Sequence, residues 1–259
     1  MSKIHFDQLA ARAPLQPERL PPFGVEAAAR PPLVVFDLDG TLVDTAPDLA
    51  ASLNHCLSRA GIAPIGLDDV RPYAGLGARA MLEHAYALAA RPLGAEELAA
   101  QTACFLAFYE AHICDRSVLF EGALDAMDAL EAAGFRLAIC TNKYEHLADA
   151  LLVALGIRER FAAVCGADTF ARRKPDPVHL LGTIEAAGGD RLRTVMIGDT
   201  RTDIDAARAV GVPSILVAFG YSIEPELAAS ADRVIDGFDR LSATLVRELM
   251  EDAREPAIA

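Results

Sequence analysis

The sequence predicts an α/β fold, a doubly wound parallel sheet interrupted once by a helical insert. Short apolar runs recur at Leu33-Val34-Val35-Phe36, Arg136-Leu137-Ala138-Ile139-Cys140, Ala162-Ala163-Val164-Cys165, Thr194-Val195-Met196-Ile197 and Ser214-Ile215-Leu216-Val217. Such runs read as strands buried on both faces. Helix-compatible stretches separate most of them, which implies a parallel sheet, helices on both faces and right-handed crossovers. Residues 48–119 are the exception: Ala, Leu and helix-compatible charges dominate, and no strand pattern emerges.

Taken in order, residues 1–31 contain Pro14, Pro17, Pro21, Pro22 and Pro31, which break every candidate element and predict an extension or surface arm. The first strand then ends in Asp37-Leu38-Asp39-Gly40-Thr41-Leu42-Val43-Asp44-Thr45. The insert predicts helices over 78–91 and 95–112. A further helix over 144–155 stops at Gly156, a favourable helix C-terminus. Asp176 and Pro177 predict the N-cap and first turn of a helix reaching about 187. A helix over 202–210 ends at Gly211, and Arg233-Val234-Ile235 predicts an edge strand before a final helix. The division expected is an extension over 1–31, an α/β core over 32–47 and 120–259, and a helical unit over 48–119.

Composition narrows the function. At 53% hydrophobic residues, the 259-residue chain can bury a large core, and 24% charged residues suit a soluble surface. A net charge of -13 argues against a nucleic-acid surface, since Arg172-Arg173-Lys174 is the only basic triplet. No apolar run approaches the roughly 20 residues that span a bilayer, and no signal-like stretch opens the chain. Cys56, Cys104, Cys114, Cys140 and Cys165 lack paired metal-like spacing, and Cys140 and Cys165 read as small buried hydrophobes. A reducing cytoplasm is expected, with no nucleic-acid or membrane partner.

The polar residues gather where an open α/β sheet binds its ligands, beyond the carboxyl ends of the strands. Asp37 and Asp39 follow the first strand, Thr141-Asn142-Lys143 the second, and Asp199 and Asp203 the strand at 194–197. Lys174 lies on the loop entering the helix at Pro177. Up to four negative charges therefore face one lysine. Two unit charges 4 Å apart interact by roughly 4 kcal/mol at an effective dielectric of 20. A divalent cation would offset that repulsion, and oxygen-only ligands favour Mg²⁺. A metal beside a lysine, a hydroxyl and backbone donors suits a phosphoryl group.

These segments, in this order, resemble the haloacid dehalogenase superfamily of phosphotransferases with its Rossmann-like core, over about residues 32–240. The helical insert resembles the cap of its phosphoglycolate phosphatase-like branch. The resemblance implies that Asp37 is the nucleophile, forming an aspartyl-phosphate. Asp39 would protonate the leaving oxygen and then activate water. Thr141 would bind phosphoryl oxygens, and Lys174 would neutralise charge on nucleophile and phosphate. Mg²⁺ would be held by Asp37, Asp199 and the backbone carbonyl of Asp39, with Asp203 in support. Asn142 is expected to donate to the phosphate or to brace the turn. Arg79, in the glycine-containing loop Gly75-Leu76-Gly77-Ala78-Arg79, is the candidate for a substrate carboxylate. Asp44-Thr45-Ala46-Pro47 and Phe120-Glu121-Gly122 are expected hinges, the latter departing from the family's Tyr-Pro-Gly. Tyr144 stands where many relatives carry proline and is expected to face the cap. His55, His84, His112, His146 and His179 share no metal spacing and are expected to be ordinary helix residues.

The implied activity is a Mg²⁺-dependent phosphatase of a small phosphorylated metabolite, 2-phosphoglycolate first among them. A sugar-phosphate mutase would use the same core and pass the phosphoryl group to a second hydroxyl. Asp39 argues against dehalogenation, which needs no acid for an alkoxide leaving group. A phosphoacceptor signalling domain shares acids, Thr and Lys, but Asp39 and the insert argue against it.

Overall fold

The computed structural model describes residues 30–221 and 225–253. Most of the expected 1–31 extension therefore lies outside the described residues. The chain enters through β1 (Leu33–Phe36) and a two-residue strand β2 (Val43–Asp44), then forms α1 (Ala46–Arg59), α2 (Leu67–Ala74), α3 (Ala78–Leu88) and α4 (Ala95–Ala111). A second two-residue strand, β3 (Val118–Leu119), precedes α5 (Ala123–Ala132), β4 (Arg136–Cys140), α6 (Glu145–Ala154) and β5 (Phe161–Cys165). The remainder alternates through α7 (Pro177–Ala186), β6 (Thr194–Gly198), α8 (Arg201–Val210), β7 (Ser214–Val217), α9 (Pro225–Ala228), β8 (Arg233–Ile235) and α10 (Ala243–Asp252).

Six strands form one sheet in the order β5-β4-β1-β6-β7-β8, and every neighbouring pair is parallel. Register aligns the strand ends: Phe36 pairs with Ile139 on one side and Ile197 on the other. Connections from β1 run toward β4 and those from β6 toward β7, so strand order reverses between β1 and β6. A crevice opens there. One face of the sheet packs on α5, α6 and α10 through Phe36, Met127, Ile139, Leu151 and Val246; α7 and α8 cover the other through Val35, Cys140, Leu180, Met196 and Ala207. Residues alternating along β1 thus serve opposite layers, as the two-residue strand period requires.

The four helices between β2 and β3 share their own apolar cluster, in which Leu53, Leu57, Met81, Leu82, Tyr86, Phe105 and Tyr109 are at most 1% exposed. β2 and β3 pair antiparallel, with Val43 opposite Leu119 and Asp44 opposite Val118. β3 lies within 48–119, where no strand is expected from the sequence, because two-residue strands are too short to show a period. Buried Asp48 closes the junction: its Oδ2 accepts from the backbone N–H groups of Arg116 and Ser117 and from the Ser117 hydroxyl.

Candidate active site

The site begins where β1 ends. Asp37 N donates to Ile197 O at 2.8 Å, which seats the carboxylate between the ends of β1 and β6. The chain then turns through Gly40 at φ 82°, a left-handed conformation that glycine adopts without steric cost. A β-carbon there would lie 2.4 Å from Asp199 Oδ2, so the close approach of turn and acid also requires glycine. Asp199 follows β6. Thr41 Oγ1 donates to its Oδ1 at 2.9 Å and Tyr221 N to its Oδ2 at 2.8 Å. Asp203 sits one turn later in α8, where its Oδ2 accepts from Thr200 N at 3.0 Å and Thr200 Oγ1 at 2.6 Å. It caps the helix and still reaches the site.

Asp37, Asp199 and Asp203 are all buried, and one carboxylate oxygen from each lies within 4.8 Å of the others. Lys174, 2% exposed, is the counter-charge: its Nζ is 2.9 Å from Asp37 Oδ1 and 2.6 Å from Asp203 Oδ1, and it also donates to Cys140 O. The Asp37 contact is an ion pair without hydrogen-bond geometry, since Oδ1 has no hydrogen-bond partner in the structure. Burial pushes the Asp37 carboxyl up to about 7; Lys174 opposes the rise and Asp203 and Asp39 add to it. Asp199 is raised well above the usual carboxylate range by burial and by the charges of Asp37 and Asp203. Burial alone would lower Lys174, but Asp203 and Asp37 outweigh it and hold the ammonium protonated. Three carboxylates against one lysine, with a buried oxygen that accepts no hydrogen bond, fit a hard divalent cation.

Asp39 takes a different environment. Its carboxylate receives Lys143 Nζ on both oxygens, at 2.8 and 3.0 Å, and Thr45 Oγ1 at 2.6 Å. Its side chain therefore stands apart from the acid cluster, where Asp203 joins Asp37 and Asp199. The Lys143 side chain is 5% exposed and lies 4.7 Å from the centre of the Tyr109 ring of α4. Lys143 was visible only as the end of Thr141-Asn142-Lys143; what makes it part of the site is packing between β4's end and the insert.

The other expected residues are arranged around these two centres. Thr141 is buried at the end of β4, and its hydroxyl accepts from Lys143 N at 3.1 Å. Asn142 Nδ2 donates to Lys174 O at 3.1 Å, so this residue braces the lysine loop, while its buried Oδ1 is unpartnered. His179 does more than fill a helix, contrary to expectation. Its Nδ1 accepts from Lys174 N at 3.0 Å, and burial with Lys174 nearby lowers its pKa to about 4, so a neutral ring orients the loop. Tyr221 escaped the sequence reading entirely. Its hydroxyl donates to Asp44 Oδ1 and accepts from Ala46 N, each at 2.8 Å, tying the Asp199 loop to the start of the insert.

A cavity of about 260 Å³ opens over Asp37 and Asp39. Its far wall comes from the insert: Leu49, Met81, Phe105, Leu106, Tyr109 and the loop Gly75–Arg79. Thr141, Asn142, Lys143 and Tyr144 line the cavity as well. Arg79 borders the cavity with a side chain 71% exposed and 4.0 Å from Glu83. An outer groove of about 810 Å³ adjoins the inner cavity, with Leu76, Asn142, Ala167 and Arg173 lining both.

This is the arrangement of a phosphoryl-transfer site, and comparison with known proteins agrees. The model of the haloacid dehalogenase-like hydrolases matches residues 34–217, and the chain belongs to that family. It is 48% identical over 219 residues to the phosphoglycolate phosphatase of Agrobacterium fabrum, covering 85% of this chain and 94% of that protein. To the phosphoglycolate phosphatase of Mesorhizobium japonicum it is 45% identical over 222 residues, 86% of this chain and 98% of the relative. Among solved structures, a predicted phosphoglycolate phosphatase from Haemophilus somnus superposes with a TM-score of 0.73 at 30% identity, covering 80% of this chain and 94% of the other. Among the described residues, no helix is long and apolar enough to cross a membrane.

Proposed function

We propose that the chain is a Mg²⁺-dependent phosphoric monoester hydrolase whose best substrate is 2-phosphoglycolate. The observation that carries this reading is the pairing of two unlike acids. Asp37 belongs to the buried Asp199–Asp203–Lys174 cluster, while Asp39 sits two residues on, held by Lys143 and Thr45. Asp37 attacks phosphorus and forms the aspartyl-phosphate, while Asp39 delivers a proton to the departing oxygen. Asp39 then takes a proton from the water that cleaves the acyl phosphate. Thr141 and the backbone donors beside it hold phosphoryl oxygens, and Lys174 offsets negative charge on Asp37 and the phosphoryl group. Asp37, Asp199 and the Asp39 carbonyl would hold the metal, with Asp203 supporting; when bound, Mg²⁺ offsets the charge of the acids and the phosphoryl oxygens.

The insert serves as the cap, its residues closing the cavity against water. Its wall is mostly apolar, with Thr102, Arg79 and the buried Tyr109 hydroxyl as its polar groups, and offers little for the several hydroxyls of a sugar. A volume of about 260 Å³ lies below the range of drug-sized ligand sites and suits a small ester. Both points favour hydrolysis of a small acid phosphate over sugar-phosphate mutation. The five free cysteines accord with a reducing cytoplasm. Phosphate release from a panel of small esters, with Mg²⁺ or with EDTA, tests the reading. Release that requires metal and is abolished in Asp37→Asn supports it; full activity of Asp37→Asn sinks the covalent route. Transfer to a second hydroxyl without phosphate release would make the chain a mutase.

A further inference from the structure

We infer that Arg173 is the specificity residue of this site, reading a carboxylate at the far end of a small phosphate monoester. The inference rests on the phosphatase reading and adds the residue that selects among substrates. Five cations border the inner cavity and outer groove: Arg79, Lys143, Arg172, Arg173 and Lys174. Four are already engaged. Lys174 serves Asp37 and Asp203, Lys143 is bidentate on Asp39, Arg172 pairs with Asp176 at 3.5 Å, and Arg79 leans on Glu83 at 4.0 Å. Among the described residues, Arg173 is the cation on these walls whose guanidinium meets no carboxylate.

Its backbone is nonetheless fixed. Arg173 O accepts from Asp176 N at 3.0 Å, and the next residue is clamped by His179 at its N–H and by Asn142 at its carbonyl. An uncommitted side chain thus stands on an anchored loop, one residue from the lysine that faces the phosphoryl group. It borders both the inner cavity and the groove, the position at which the tail of a substrate emerges when its phosphate sits at Asp37. A carboxylate tail is repelled by Asp37 and Asp39 and drawn toward the mouth, where a free guanidinium offers two parallel N–H donors. The apolar wall from the insert accommodates the intervening methylene. The substrate class is therefore a short phosphate ester ending in a carboxylate. Arg79, the sequence candidate for this task, already lies 4.0 Å from Glu83.

The test compares kcat/KM for 2-phosphoglycolate and ethyl phosphate, which keeps the ester and methylene but replaces the carboxylate with methyl. In full-length protein with Mg²⁺, Arg173→Gln should cost 2-phosphoglycolate roughly 10- to 100-fold, the range of a lost charge-assisted pair. That loss should exceed the loss for ethyl phosphate by about tenfold or more, with Arg173→Lys between. An unchanged ratio in Arg173→Gln overturns the inference, as does a ratio that collapses instead in Arg79→Gln. Should the wild type release phosphate from neither ester, the hydrolase reading falls separately. Calorimetric titration of 2-phosphoglycolate into Asp37→Asn and Asp37→Asn/Arg173→Gln then decides. Weakening by about tenfold or more supports Arg173, whereas equal affinity, or no binding to either, overturns it.

Discussion

Metal-free protein should lose stability as pH rises from about 4 to about 7, and Mg²⁺ should reverse the loss. The perturbed group is Asp37, whose ordinary pKa of 3.8 is pushed up to about 7 by burial and by Asp203 and Asp39, despite Lys174. Between those values the folded chain holds a proton that the unfolded chain has released. Stability must then fall with rising pH across the window and level off above it. At about 1.4 kcal/mol per pH decade, Asp37 alone accounts for roughly 4 kcal/mol, and raised Asp199 acts in the same sense. For a chain of this size that is on the order of 10 °C in Tm. A divalent cation needs the ionised acids, so its stabilisation grows over the same interval. Thermal melts at stepped pH, in EDTA and in excess Mg²⁺, measure both curves, and Asp37→Asn supplies the reference for all other carboxylates. A Mg²⁺ increment that is flat with pH would refute the reasoning. So would an EDTA curve that climbs from pH 4 to 7 relative to Asp37→Asn.

Lys143→Met strands the buried Asp39 carboxylate and should cost about 3–5 kcal/mol, read by urea unfolding. It should also slow alkyl phosphates more than p-nitrophenyl phosphate in kcat/KM, because a good leaving group needs little protonation. Asp48→Ala leaves three donors of Arg116 and Ser117 without an acceptor and should cost roughly 2–4 kcal/mol, with faster amide exchange over 116–119. Gly198→Ala drives a β-carbon to 2.4 Å from Asp203 Cβ. It should raise the Mg²⁺ concentration needed for half-activity by tenfold or more, on the order of the loss from disturbing a ligand's support; Gly94→Ala, with nothing within 4 Å, is the control.

Legibility from sequence followed range. Elements with local causes were readable: Asp176 accepts from Val178 N and starts α7 at Pro177, and Gly211 ends α8 in a left-handed conformation at φ 66°. Strand ends were readable too, because a parallel sheet sends its loops to one edge, and that alone gathered Asp37, Thr141, Lys174 and Asp199. What stayed hidden depends on distance along the chain. Tyr221 reaches Asp44 across 177 positions and Lys143 reaches Asp39 across 104, and no local pattern marks either partner. His179 looked like any helical histidine, because its partner is a backbone N–H, which no residue type discloses.

The pairing of Asp44 with Val118 has a consequence for how such proteins diversify. The segment between them leaves and rejoins a separate two-stranded ribbon at ladder neighbours, whose α-carbons lie about 5 Å apart. Any polypeptide whose ends meet at that spacing satisfies the same splice, so recombination at these two positions leaves the six-strand register untouched. The chemistry is inherited from one side of the splice and much of the cavity wall from the other. Arg173 lies on the inherited side, within the loop that also supplies the lysine. A lineage exchanging its insert would therefore alter the room available to a substrate's tail while keeping the charge that greets it.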